Sequence, residues 1–191
     1  ITAGYTDNPN WTVPFQFGYR SGLYTRLTNS NFSFQFVGAS PEPWNGLSGT
    51  VPNTPIPDLR TVGQDHHEGY SSQGIAYVLS HIGGWITNNQ PDVILLQVGI
   101  NDIGNGSTAE PTAAESNLSN IVATAASISP NTRMIVAQIT PYSGYTPAIA
   151  KYNNYIANVL VPYFAGQGKW VSTVNQYTNL CLPGTTNIDA S

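Results

Sequence analysis

The sequence predicts a three-layer α/β/α fold built on a parallel sheet. Three observations carry this. Val93-Ile94-Leu95-Leu96-Gln97-Val98 and Met134-Ile135-Val136-Ala137 are short apolar runs of the kind buried on both faces of a parallel sheet. Longer segments with apolar residues every three or four positions alternate with such runs. The order helix then strand occurs four times, and that alternation implies a parallel sheet with helices on both faces. At 191 residues, with no internal repeat or linker, the chain is expected to be one domain, 1–191.

Near the start, Leu23, Tyr24 and Leu27 share one helical face. Phe32, Phe34 and Phe36 alternate with Ser33 and Gln35 and predict a strand ending at Val37-Gly38. The stretch from Gly38 to about His66, studded with Pro41, Pro43, Pro52, Pro55 and Pro57, then predicts a long loop, a feature more often functional or mobile than idle. Residues 74–88 read as helix, interrupted or divided at Gly83-Gly84. The run from Val93 predicts a central strand, and Gly99-Ile100-Asn101-Asp102 a turn directly after it. Thr112 and Glu115 have capping-box spacing. The helix behind them presents Ala114, Leu118, Ile121, Val122, Ala125 and Ile128, and stops at Pro130. After the strand at Met134, Thr146-Pro147 predicts a helix start. Its core face is Ile149, Tyr152, Ile156, Val159, Leu160 and Tyr163, and Pro162 and Gly166 close it. Trp170 to Val174 predicts the last strand.

Composition narrows the function. Charged residues are 8% of the chain, with 10 acidic against 6 basic side chains. A chain with so little basic charge has no footprint for a phosphate backbone, so no nucleic-acid partner is expected. At 40% hydrophobic and 11% aromatic it is also too apolar for a disordered chain. No apolar run reaches the ~20 residues of a membrane span. Cys181 is the one cysteine, which excludes a disulfide framework within the chain. Uncharged polar residues with many aromatics are frequent in secreted, sugar-handling proteins.

In open sheets of this type ligands sit beyond the carboxyl ends of the strands. Asn101, directly after a buried strand, offers an amide N–H donor at a fixed point, as an oxyanion site needs. Gly99 permits the tight turn, and Asp102 can brace it. The alternative is that Asn-Asp is simply a good turn pair. Ser71-Ser72-Gln73-Gly74 precedes a helix whose first N–H groups suit an anion. Asp65-His66-His67-Glu68 resembles a metal cluster only superficially. Neighbouring residues rarely ligate one ion and no third ligand stands at HxxxH spacing, so a structural role is preferred. His81 reads as a polar helix-surface residue. Trp11, Trp44, Tyr142 and Tyr145 are either sugar-stacking residues or packing.

Taken together these segments resemble the SGNH (GDSL-type) hydrolases, and within them the acetyl-xylan-esterase-like carbohydrate esterases of family three. Ile1-Thr2-Ala3-Gly4 is similar to the residues directly after the family's Gly-Asp-Ser block. Tyr19-Arg20 with Leu23 and Leu27 resembles its first helix, Phe36-Val37-Gly38 its second strand, His67-Glu68-Gly69-Tyr70-Ser71 its HEGYSG segment, and Gly99-Ile100-Asn101-Asp102 its GxND block. The family often has Gly where this chain has Ser72.

The resemblance implies a flavodoxin-like α/β/α sheet whose first strand and last helix lie beyond the ends of this chain. It implies a two-step ester hydrolysis in which a Ser attacks the acyl carbonyl, a His takes its proton and an Asp orients that His. By the family pattern the Ser precedes Ile1, and the His lies beyond Ser191. Asp189 is the candidate Asp, and residues 1–191 alone are expected to be inactive. The oxyanion donors would be the N–H of the nucleophilic Ser, the Ser72 N–H and the Asn101 side chain, with Gly99, Tyr70, Trp44 and Tyr142 at the substrate. The implied partner is an acylated carbohydrate or other ester, with no metal and no cofactor. The whole protein is expected to be secreted and monomeric. Other readings are an SGNH lipase or general carboxylesterase and, from another class, a non-catalytic carbohydrate-binding domain.

Overall fold

The architecture follows from where apolar side chains could be buried together. A computed structural model describes residues 18–39, 59–70, 72–103, 111–140 and 147–176. The chain forms two compact units, Ile1–Ser71 and Ser72–Ser191.

In the first unit, α1 spans Arg20–Asn29. Its most buried residues are Arg20 and Ser21, while Leu23, Tyr24 and Leu27 are half-buried. The Arg20 guanidinium donates from Nη1 to the Asp65 carbonyl at 2.7 Å. Residues 32–38 are not a sheet strand, contrary to the alternation of their phenylalanines. The cause lies in their partner. The Gln64 side chain accepts from the Phe36 N–H at 2.7 Å and donates to the Phe34 carbonyl at 3.0 Å. One amide thus supplies the donor and acceptor that a neighbouring strand would have offered. Gln35 adds a bond to the Gly63 carbonyl at 2.6 Å.

The second unit holds a parallel three-stranded sheet, order β1-β2-β3: β1 Val93–Leu96, β2 Arg133–Ala137, β3 Val171–Val174. Val93 pairs with Arg133, and Met134 with Val171. Among the described residues β1 is an edge strand, not the central one. Val93 and Leu95 are 49% and 42% exposed, so only the Ile94–Leu96 face enters the core.

The helices are α2 Ile75–Asn89, α3 Ile100–Ile103, α4 Thr112–Ile128, α5 Pro147–Tyr155 and α6 Val161–Gly166. Helix α2 runs through Gly83-Gly84 without a break. Gly83 lies where an added Cβ would stand 3.3 Å from Ile128, so its small size serves packing against α4. Tyr77, His81 and Trp85 stack along α2, with His81 exposed. The capping box at α4 does not form. Thr112 is already helical, Pro111 occupies the N-cap position, and no side chain caps the start. Ala114, Leu118, Ile121, Val122 and Ala125 are buried, but Ile128 is 44% exposed.

The last helical stretch does not close at Pro162. A π-helical turn, Ile156–Leu160, joins α5 to α6. Its wider winding accommodates a proline that cannot donate to the preceding turn. It also rotates the buried face by one residue. Leu160 and Phe164 enter the core, while Val159 and Tyr163, expected there from uninterrupted α periodicity, are 50% and 59% exposed.

Candidate active site

The turn after β1 is fixed from several sides. Gly99 is buried and has φ +122, a conformation that disfavours a side chain. An added Cβ would stand 2.8 Å from the Tyr152 ring. The Asp102 and Ile103 N–H groups both donate to the Gly99 carbonyl at 3.0 Å, which winds the chain into α3. This delivers Asn101 to the surface just past the carboxyl end of β1.

From there Asn101 Nδ2 donates to the Gln73 carbonyl at 2.8 Å. The amide nitrogen carries two hydrogens, so one bond fixes its plane and aims the second. Residue 73 adjoins Ser72, the other predicted donor. Ser72 is exposed and left-handed, with φ +61. That backbone normally favours glycine, at a cost of order 1–2 kcal/mol for other residues. The structure therefore brings Ser72, Gly99 and Asn101 into one neighbourhood.

Asp102 braces a different element from the one it belongs to. Both its carboxylate oxygens accept from the Ile75 N–H at 3.1 Å, capping α2 across 27 residues of chain. Gly74 makes this approach possible, because an added Cβ would lie 2.7 Å from Asp102 Oδ1. The first N–H of α2 thus goes to a carboxylate rather than to an external anion. The residue as a whole is exposed, but its carboxylate turns inward. Burial raises its pKa above the ordinary value, with the Ile75 N–H working in the opposite direction.

Two further residues of this neighbourhood were not singled out by the sequence. The Tyr152 hydroxyl donates to the Val98 carbonyl at 3.1 Å. Asn153 accepts from the Ile139 N–H at 2.8 Å and donates to the Ile139 carbonyl at 2.9 Å, clamping the exit of β2. Both looked like parts of a helix packed on a core. A polar atom on each buried position was the available signal.

The remaining candidates fall elsewhere. Tyr70, in the first unit, donates its hydroxyl to Glu68 Oε2 at 2.9 Å, and Glu68 Oε1 accepts from the Ala39 N–H at 2.9 Å. His66 Nδ1 donates to the Gly38 carbonyl at 2.9 Å. Buried His67 accepts at Nδ1 from the Gly69 N–H at 2.8 Å, so a neutral ring carries its proton on Nε2. These bonds tie loop to loop, and no metal-ligating cluster occurs among the described residues. Trp11, Trp44, Tyr142, Tyr145, Cys181 and Asp189 lie outside the described residues.

A parallel α/β sheet with an amide presented at a strand's carboxyl end places the chain in the class of open α/β proteins, whose ligands sit beyond the strand ends. Within it, this chain belongs to the GDSL-like Lipase/Acylhydrolase family, whose pattern matches residues 1–162. No curated protein sequence matches it. Among solved structures, a Clostridium thermocellum family 3 carbohydrate esterase is 29% identical, with TM-score 0.63 over 84% of this chain and 69% of that one. A family 3 carbohydrate esterase from Talaromyces cellulolyticus is 21% identical, with TM-score 0.66 over 84% and 73%. A mutant acetyl esterase with an acetate ion is 20% identical, with TM-score 0.66 over 86% and 78%. Among the described residues no helix is long and apolar enough to cross a membrane.

Proposed function

We propose that this protein is a serine esterase that removes acyl groups, acetyl foremost, from carbohydrate such as xylan. One observation carries the reading: the Asn101 amide is bonded to the Gln73 carbonyl, next to Ser72, just past the carboxyl end of β1. In acyl transfer the carbonyl oxygen gains charge as the tetrahedral intermediate forms. Pre-aimed N–H donors lower that barrier because they need no reorganisation at the moment of reaction. Asn101 Nδ2 and the Ser72 N–H are the donors in this reading. Asp102 and Gly74 keep them in register by joining the turn after β1 to the start of α2.

A Ser nucleophile, a His base and an Asp complete the mechanism. That part rests on the resemblance at Ile1-Thr2-Ala3-Gly4 and at Asp189, both outside the described residues. The carbohydrate ester is supported by the likeness to the clostridial carbohydrate esterase at 29% identity. The low charge and many aromatics accord with an extracellular protein acting on sugar.

The test is hydrolysis by the full-length protein of a p-nitrophenyl ester series from acetyl upward, beside acetate release from acetylated xylan. Acetate release with turnover falling as the acyl chain lengthens supports the reading. Preference for long chains would make it a lipase or general esterase. Sugar binding without turnover of any ester would make it a binding domain.

A further inference from the structure

Tyr152 is 0% exposed and carries a hydroxyl that the proposed chemistry does not use. Its hydroxyl donates to the Val98 carbonyl at 3.1 Å, at the last residue before the turn. Its ring lies against Gly99, with Cε1, Cζ and Oη within 2.8–3.0 Å of the place a Cβ would take. Gly99 in turn accepts the N–H groups of Asp102 and Ile103 through its carbonyl. The backbone of residues 99–101 links these contacts to Asn101.

We infer that Tyr152 is a positioning residue for Asn101, seating the turn after β1 so that the amide reaches the Gln73 carbonyl and its second hydrogen faces the oxyanion position. This rests on the esterase reading for its chemical consequence, but not for its geometry. The phenol is suited to the task. Burial pushes its pKa well above the usual range and the Asp102 charge adds to this, which favours the protonated, donating hydroxyl. Helix α5 and β1 are separate in sequence, so the bond couples a helix to the turn rather than bracing the turn from within. The other buried polar clamp, Asn153 on Ile139, holds the exit of β2 instead.

The experiment compares Tyr152→Phe, which keeps the ring and removes only the hydroxyl, with the full-length wild type, by two readouts. The first is the NMR signal of the Asn101 side-chain NH₂, assigned by its loss in Asn101→Ala. In Tyr152→Phe it shifts and exchanges faster with solvent. The second is kcat and KM on p-nitrophenyl acetate. On the order of a tenfold fall in kcat with KM unchanged is expected, short of the ~10²–10³ for losing a donor outright. Because Tyr152 acts through Asn101, Tyr152→Phe adds no further loss in an Asn101→Ala background. Phe164→Leu, in the core further along the same helical stretch, lowers thermal stability but leaves the amide signal and kcat in place. An unmoved amide signal overturns the inference, as does an unchanged kcat in an active enzyme or a loss that adds in full to that of Asn101→Ala. If the wild type turns over no ester, the esterase reading falls and the amide signal alone decides on Tyr152.

Discussion

The described residues of the two units are held by different forces. Of the buried apolar side chains among the described residues, all but Leu59 belong to the unit that begins at Ser72. That unit has one continuous core, from Ile75 on α2 through Met134 and Val136 on β2 to Phe164 on α6. The described residues of the first unit instead bond side chains to backbone. Arg20, Gln35, Gln64, His66 and Glu68 each bond carbonyl or N–H groups that no strand among the described residues partners. A packed core responds to lost volume. A polar lattice responds to a single unpaired group, because a buried donor or acceptor left alone carries its full desolvation cost.

The largest expected effect is in the core. Leu118 is fully buried on α4, and Leu118→Ala should cost about 2–5 kcal/mol, read from denaturant unfolding. In the first unit Gln64→Leu leaves the Phe36 N–H and Phe34 carbonyl unpaired, for about 1–3 kcal/mol. Hydrogen exchange of the Phe36 amide should rise sharply while exchange in β2 does not. Equal increases in both would show that the two regions open as one.

Asp102 sharpens the comparison, being a polar brace inside the apolar unit. Its carboxyl pKa is raised in the folded state above the ordinary 3.8, so the proton binds the folded form more tightly. The stability this contributes is complete below 3.8 and is lost as pH rises through the elevated folded value. Relative to Asp102→Asn, the wild type should therefore weaken as pH climbs from acid toward neutral, in paired thermal melts. The opposite slope would mean that the Ile75 N–H bond outweighs burial. The smallest effect is at Ser72. Ser72→Gly relieves the left-handed strain but frees the unfolded chain, for a net gain within about 1 kcal/mol in the same melts.

Much of the apolar unit was legible because its signals are local. The buried face of α4 from Ala114 to Ala125, and strands β2 and β3, follow from periodicity and β-branched runs. Asn101 was legible because a turn comes directly after a strand. The features that the sequence concealed depend on partners distant along the chain. The helix cap of α2 comes from Asp102, and the pairing of residues 34–36 comes from a glutamine side chain. The π turn at Ile156–Leu160 changes the period midway, so a constant 3.6-residue reading placed Val159 and Tyr163 inside and missed Phe164. Tyr152 read as core because burial has a sequence pattern, whereas a bond to the Val98 carbonyl has none.

The most direct measurement is kcat/KM of the full-length protein and its Asn101→Ala variant on p-nitrophenyl acetate, with the unfolding midpoint of each. The proposed role of Asn101 as oxyanion donor predicts a fall of about 10²–10³ with little change in midpoint. A folded variant that hydrolyses the ester at the wild-type rate would contradict the account.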